Sequence, residues 1–198
     1  MLRRRGREFR SARRRAGPTR AVGPRDVAPP AWEDAEVPTR KEIAVPAVHI
    51  RPSAGAAEYP ALVEVWRSAV DATHHFLAPA DRDAIEAALA SHYFPEVLLS
   101  VAEVDGRPAG FSGVLDGTLE MLFVDAARRG SGIGSALVAH AIEEHGVTAV
   151  DVNEQNIEAA AFYAHCGFEV VGRSETDDAG RPYPVLHLKL GGFDAPSP

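Results

Sequence analysis

The chain has 198 residues, 45% of them hydrophobic and 25% charged, which suits one globular domain with extensions; no apolar run approaches the roughly 20 residues of a membrane span. Its net charge of −7 is unevenly placed: residues 1–25 hold ten arginines and one acid and sum to +9, so residues 26–198 carry −16. An acidic body of this kind repels nucleic acid and attracts cations. The single cysteine, Cys166, excludes an internal disulfide and fits a reducing, cytoplasmic setting.

Residues 1–46 are rich in Arg, Pro, Gly and Ala and show no sustained period. They are expected to be a disordered tail, or upstream sequence translated from a misassigned start, with Val37 and Val45 as candidate starts. A nucleic-acid or membrane tether and a transit peptide are minor alternatives. Residues 47–191 are expected to form the folded domain, and 192–198 a loose tail. Val48–Arg51 reads as a short strand. Glu58–Val70 carries Leu62, Val65, Trp66 and Val70 at helical spacing. Pro79–Leu89 reads as a second helix, with Asp81, Asp83 and Glu86 near its start. Val97–Val104, Pro108–Leu115 and Thr118–Val124 read as three strands joined by the hairpin pairs Asp105-Gly106 and Asp116-Gly117. The spacing then predicts a helix over Gly132–Glu144, a strand over Thr148–Val152, a helix over Asn156–His165, and strands over Phe168–Arg173 and Val185–Leu190. Cys166 reads as a small buried residue near a helix end. The order β-α-α-β-β-β-α-β-α-β-β describes an α/β sandwich around one mixed sheet.

The run Arg128-Arg129-Gly130-Ser131-Gly132-Ile133-Gly134-Ser135 sits at the mouth of the third helix. The first N–H groups of a helix lack internal partners, and glycines let a ligand approach the backbone, so the run is a cradle for a diphosphate. A Cβ at 130, 132 or 134 is expected to obstruct that approach. A P-loop needs Lys and then Ser or Thr after its last glycine; Gly134 is followed by Ser135-Ala136. A Rossmann site needs a further glycine where Ser135 stands, a tight turn after Val124, and a parallel sheet. The antiparallel meander upstream argues against it.

The pattern Arg129-x-x-Gly132-x-Gly134, followed by Asn156-x-x-Ala159-x-x-Phe162-Tyr163-x-x-x-Gly167-Phe168, resembles the GNAT superfamily of N-acetyltransferases. The strings VDATHHFL (70–77) and VNEQNIEAAAFYAHCGFEVVGRSETDDAGRPYPVL (152–186) are similar to its YjaB-like bacterial branch. The resemblance covers roughly residues 48–190 and departs at Ala126, where many members carry proline.

This resemblance implies a mostly antiparallel mixed sheet with a splay between strands 4 and 5 and helices on both faces. Acetyl-CoA, as co-substrate, threads that gap in the family. Backbone groups of Leu122, Phe123 and Val124 would pair with pantetheine like an added strand, and N–H groups of Arg129, Gly130, Ser131, Gly132, Ile133, Gly134 and Ser135 would hold the diphosphate. Asn156 and Tyr163, seven residues apart, share a helix face about 10 Å apart. Asn156 is a candidate ligand of the pantetheine arm, or simply the helix N-cap. Tyr163 is the candidate general acid for the CoA thiolate, or an aromatic core residue. Glu120 is the candidate base, or an exposed strand carboxylate. His74, His75 and Asn153 are candidates for the acceptor wall, with Tyr93 and Tyr183 weaker ones.

No metal is expected: His140 and His145 are five apart, about 140° around a helix. The reading is an acetyl-CoA-dependent N-acetyltransferase acting directly on a primary amine, a protein lysine or a small cationic molecule, with no nucleic-acid or membrane partner and with homodimers common among relatives. The alternative is a non-catalytic acyl-CoA-binding regulatory module.

Overall fold

The computed structural model describes residues 48–192. The expectations for residues 1–46 and for most of the C-terminal tail lie outside the described residues.

Seven strands form one sheet in the order β1-β2-β3-β4-β5-β7-β6. They are β1 (His49–Pro52), β2 (Leu98–Val104), β3 (Arg107–Leu115), β4 (Thr118–Val124), β5 (Ala149–Asn153), β6 (Phe168–Ser174) and β7 (Val185–Leu190). The meander from β2 to β4 follows the two Asp-Gly pairs. Asp105, Gly106, Asp116 and Gly117 all have positive φ, as a two-residue hairpin turn requires. Every neighbouring pair is antiparallel except β4 and β5, which run parallel and pair only at Thr118↔Ala149 and Leu119↔Val150. Beyond Leu119 the two strands part. β5 continues on β7 through Asp151, Val152 and Asn153, while β4 keeps only β3.

Helices α1 (Tyr59–Thr73) and α2 (Pro79–Ala88) cover one face, and α3 (Ile133–His145) and α4 (Ile157–His165) the other. The stripe Leu62, Val65, Trp66, Ala69, Val70 buries α1 against Leu99, Val101 and Phe111. Ile133, Leu137, Val138 and Ala141 bury α3 against β2, β3 and β5. Gly110 on β3 lets α3 settle closely, because a Cβ there would stand 3.0 Å from Ile133 Cγ2.

Two elements differ from the sequence reading. α1 runs on to Thr73, whose hydroxyl donates to Ala69 O at 2.8 Å. After α2 the chain stays helical, in a π turn over Leu89–Tyr93 and a 3-10 turn over Phe94–Glu96. The wide turn, closed by Phe94 N–H to Leu89 O, swings Phe94 onto the side that Leu89 already buries, and both are almost wholly enclosed. An α-helix would hold those side chains about 140° apart. Cys166, expected to be buried, is half-buried at the end of α4, packed against the core cluster that holds Tyr163 and Phe168.

Candidate active site

A cavity of about 420 Å³ lies along the part of β4 that β5 has left. Its lining comes from four places: Ala69, Thr73 and His74 at the end of α1, Leu122–Val124 of β4, the loop from Arg128 into the start of α3, and Asn156, Glu158, Ala159, Phe162 and Tyr163 on α4.

The glycine loop is shaped as a cradle. Gly130 and Gly132 have φ of +75° and +86°, and a Cβ on either would meet no protein atom within 4 Å. Their requirement is therefore conformational, and the space beside them is open. Gly134 differs: its φ is ordinary, and a Cβ would make only an ordinary contact, 3.4 Å, with Phe162 Cζ of α4, so the fold itself does not require glycine there. Ala136 N–H is the first to bond back into α3, to Gly132 O at 3.0 Å. The N–H groups of Ile133, Gly134 and Ser135 precede that bond, and no side chain caps them. Ser131 turns its hydroxyl back to Arg128 O at 2.6 Å and does not line the cavity. Arg129 reaches across to Glu158 of α4, Nη2 to Oε2 at 2.7 Å. An open left-handed loop, free helix N–H groups and an unpaired strand edge fit a diphosphate carried on an extended amide-bearing arm.

Asn156 is the N-cap of α4: its side-chain oxygen accepts from Ala159 N–H at 3.1 Å. That leaves the side-chain NH₂, its only side-chain donor, on the cavity wall. Tyr163, two turns along on the same face, also lines the cavity and is 7% exposed. It packs against Phe162 and Phe168. Burial, and then the neighbouring Cys166, hold its phenol above the usual range, so it keeps its proton.

His74 forms the opposite wall. Its ring lies 6.2 Å from Phe123 and 5.3 Å from Phe76. Its Nδ1 is 2.7 Å from Thr73 Oγ1, whose one proton already goes to Ala69 O. The ring must therefore donate from Nδ1, and Nε2 is left as its acceptor. Burial, reinforced by His75, pushes its pKa down to about 4, so the ring is neutral at neutral pH.

The remaining candidates stand apart from this cavity. Glu120, His75 and Asn153 do not line it. Glu120 is the extra residue of a bulge in β4, where Gly113 faces Met121 and Val114 faces Leu119. Its carboxyl is raised by partial burial and then by Asp151 and Asp178. His75 is exposed, and Asn153 ends β5 with its carbonyl accepting from Asn156 N–H at 2.9 Å. Tyr93 is 38% exposed on the π turn. Tyr183 is buried and ties the β6–β7 loop to the start of α2: its hydroxyl donates to Asp81 at 2.5 Å and accepts from Ala78 N–H at 3.1 Å. His140 and His145, expected to diverge, have ring centroids 5.4 Å apart, because His145 ends the helix and turns towards Ser100 Oγ. Among the described residues no three metal-ligating side chains come together. Thr73, Glu158 and the Tyr183–Asp81 link escaped the sequence reading. Thr73 lies inside the quoted string 70–77, but its role needs the end of α1 to be known.

Known proteins share this fold. The sequence profile of the family described as "Acetyltransferase (GNAT) domain" matches residues 91–170. The chain is 46% identical over 128 residues to the peptidyl-lysine N-acetyltransferase YjaB of Salmonella typhimurium, covering 64% of this chain and 88% of that protein. The solution structure of apo YjaB from Escherichia coli superposes with a TM-score of 0.68 at 41% identity, covering 74% of this chain and 99% of that one. The Thermoplasma acidophilum PaiA N-acetyltransferase, solved with coenzyme A, has the same fold: TM-score 0.57, 19% identity, 72% of this chain and 99% of that one.

Proposed function

The chain belongs to the GNAT superfamily of acetyltransferases, close to the YjaB-like bacterial enzymes, and on that premise we propose that it moves the acetyl group of acetyl-CoA directly to a primary amine, on a protein lysine or a small cationic molecule. The observation that carries this reading is one cavity that joins the glycine cradle, the free edge of β4, Tyr163 and a neutral His74.

Acetyl-CoA, when bound, supplies an activated thioester carbonyl. The free N–H groups of Ile133, Gly134 and Ser135, beside the open backbone of Gly130 and Gly132, hold its diphosphate, and the Asn156 NH₂ and the edge of β4 align its arm. Free N–H groups of β4 near Leu122 and Phe123 receive the negative charge that develops on the carbonyl oxygen. His74 Nε2 accepts a hydrogen bond from the acceptor nitrogen and orients its lone pair. A lysine amine has a pKa near 10.4, about three units above neutral, so a base must take a proton from it. Glu120, with its raised carboxyl, fills that role through water. As the C–N bond forms and the C–S bond breaks, Tyr163 donates its proton to the departing sulfur. The burial that keeps this proton on Tyr163 equally disfavours a bare thiolate beside it. The body's −16 charge draws cationic acceptors in.

The test is to mix the protein with acetyl-CoA and a panel of amines and lysine peptides and follow free thiol. Turnover with at least one amine, lost in Tyr163→Phe, is expected. Tight CoA binding with no transfer to any amine above that control refutes the reading and marks an acyl-CoA-binding regulator instead.

A further inference from the structure

Two helices begin at the cavity, and their first turns differ. α3 starts at Ile133 with no side-chain cap and no acid in its first turn. α4 is capped by Asn156 and carries Glu158 in its first turn, where a carboxylate suits the helix dipole. Glu158 is the one acidic side chain among the described residues that line the cavity. Its Oε2 lies 2.7 Å from Nη2 of Arg129, which leads the glycine loop towards α3. Both partners share the cavity wall with the uncapped start of α3. Arg128 also has a carboxylate partner, Asp105 at 3.7 Å, but Asp105 does not line the cavity.

A carboxylate on the wall of a diphosphate site opposes its ligand in two ways. It repels the phosphate, and it occupies the guanidinium that would otherwise meet it. The pair is easily parted: its side chains are 43% and 72% exposed, and an exposed ion pair shifts an equilibrium by about fivefold at most. An arginine–phosphate pair is charge-assisted and can be bidentate, so it is the stronger of the two. Exchange of partners therefore favours the phosphate, at a cost that Glu158 sets.

We propose that Glu158 is the resident counter-ion of Arg129, displaced by a phosphate of the cofactor, and that it holds down the affinity for acetyl-CoA and CoA together. The inference rests on the reading of the cavity as the acetyl-CoA site. Acetyl-CoA and CoA carry the same phosphates, so Glu158 weakens both alike and leaves the barrier to transfer unchanged. Its effect falls on how much cofactor fills the site and on how readily the spent CoA leaves. As CoA departs, Glu158 takes Arg129 back.

The experiment is titration calorimetry of CoA into wild type, Glu158→Gln, Arg129→Gln and the double variant, at about 50 mM and about 500 mM salt. At low salt Glu158→Gln is expected to bind CoA about three- to tenfold more tightly than wild type. The gain shrinks at high salt, where separated charges are screened. It is also smaller when Arg129 is already Gln, because only the repulsion is then relieved. Both side chains are exposed and Gln keeps the shape of Glu, so the variants are expected to fold, which scanning calorimetry checks. An affinity that Glu158→Gln leaves unchanged or weakens overturns the proposal, and so does a gain that salt does not alter. A gain of equal size in the Arg129→Gln background overturns the pairing with Arg129. A wild type that binds no CoA at either salt sinks the reading of the cavity itself, a result distinct from wild-type binding that Glu158→Gln fails to tighten.

Discussion

Replacing Gly132 and Gly134 by alanine, one at a time, separates backbone conformation from packing within three residues. At Gly132 the backbone is left-handed, with φ of +86°. An L-residue in that region costs about 1–2 kcal/mol. The new Cβ meets nothing in the protein, so no further clash adds to this. In a domain of this size that cost lowers Tm by roughly 2–8 °C. The Cβ does project into the open space of the cradle. Displacing one charge-assisted hydrogen bond to a phosphate costs about 1.5–3 kcal/mol, or about ten- to a hundredfold in CoA affinity. At Gly134 the residue is already helical, alanine is the better helix former by up to about 1 kcal/mol, and its Cβ would make an ordinary contact with Phe162 at 3.4 Å. Gly134→Ala is therefore expected to match or exceed the wild-type Tm and to bind CoA nearly as wild type does. Scanning calorimetry gives Tm and titration calorimetry gives Kd. If Gly132→Ala keeps CoA affinity within about threefold, or if Gly134→Ala weakens it more, the placement of the diphosphate is wrong.

Other outcomes follow from the same geometry. Tyr163→Phe is expected to lower kcat by about 10²–10⁴ with CoA affinity unchanged, measured by thiol release and calorimetry, because only the proton donor is removed. His74 has a folded-state pKa lowered from 6.5 to about 4, so the unfolded chain binds the extra proton first. Its contribution to stability is full above pH 6.5 and is lost as the pH falls towards 4. His74→Gln should flatten that limb of a Tm-versus-pH curve; an unchanged limb would mean that the ring is not held neutral. Tyr183→Phe removes a donor to Asp81 and an acceptor for Ala78 N–H. It should cost roughly 1–3 kcal/mol and lower Tm by roughly 2–10 °C, with the KM of the amine rising more than that of acetyl-CoA.

How much of this was legible in the sequence depended on the range of the interaction. The two hairpins were readable because an Asp-Gly pair carries its own conformation. The α1 and α3 stripes were readable because burial repeats every three to four residues. The cradle was readable because Gly130 and Gly132 sit directly before a helix. Gly134 reads as part of the same run, although its backbone is ordinary helix and a side chain there would only touch Phe162. The π turn was not legible, because only the position of the core makes Phe94 follow Leu89 inward. The Tyr183–Asp81 bond spans 102 positions, and the contacts of His187 with Asp151 on β5 and Ser174 on β6 depend on a bulge and a strand order that no local spacing encodes. Strand position and family resemblance point to Glu120, and position at the end of the fifth strand to Asn153, yet neither lines the cavity with Tyr163.

The bulge at Glu120 explains how one strand can meet α3 on one face of the sheet and α1 on the other. Strict alternation would put Leu119, Met121 and Phe123 on a single face. Instead Leu119 packs under α3 with Val138 and Val150, while Met121 and Phe123 pack under α1 with Trp66 and Phe111. The extra residue reverses the phase. It leaves Leu122 and Val124 on the α3 side, beside the cradle, and Phe123 on the α1 side, against His74. The same irregularity bends β4 away from β5 immediately after Leu119, which frees the strand edge that a pantetheine arm would pair with. The residue inserted to do this is itself a carboxylate under the influence of Asp151. Separation of the strands, the switch of faces and the placing of an acid beside the splay thus come from one added residue.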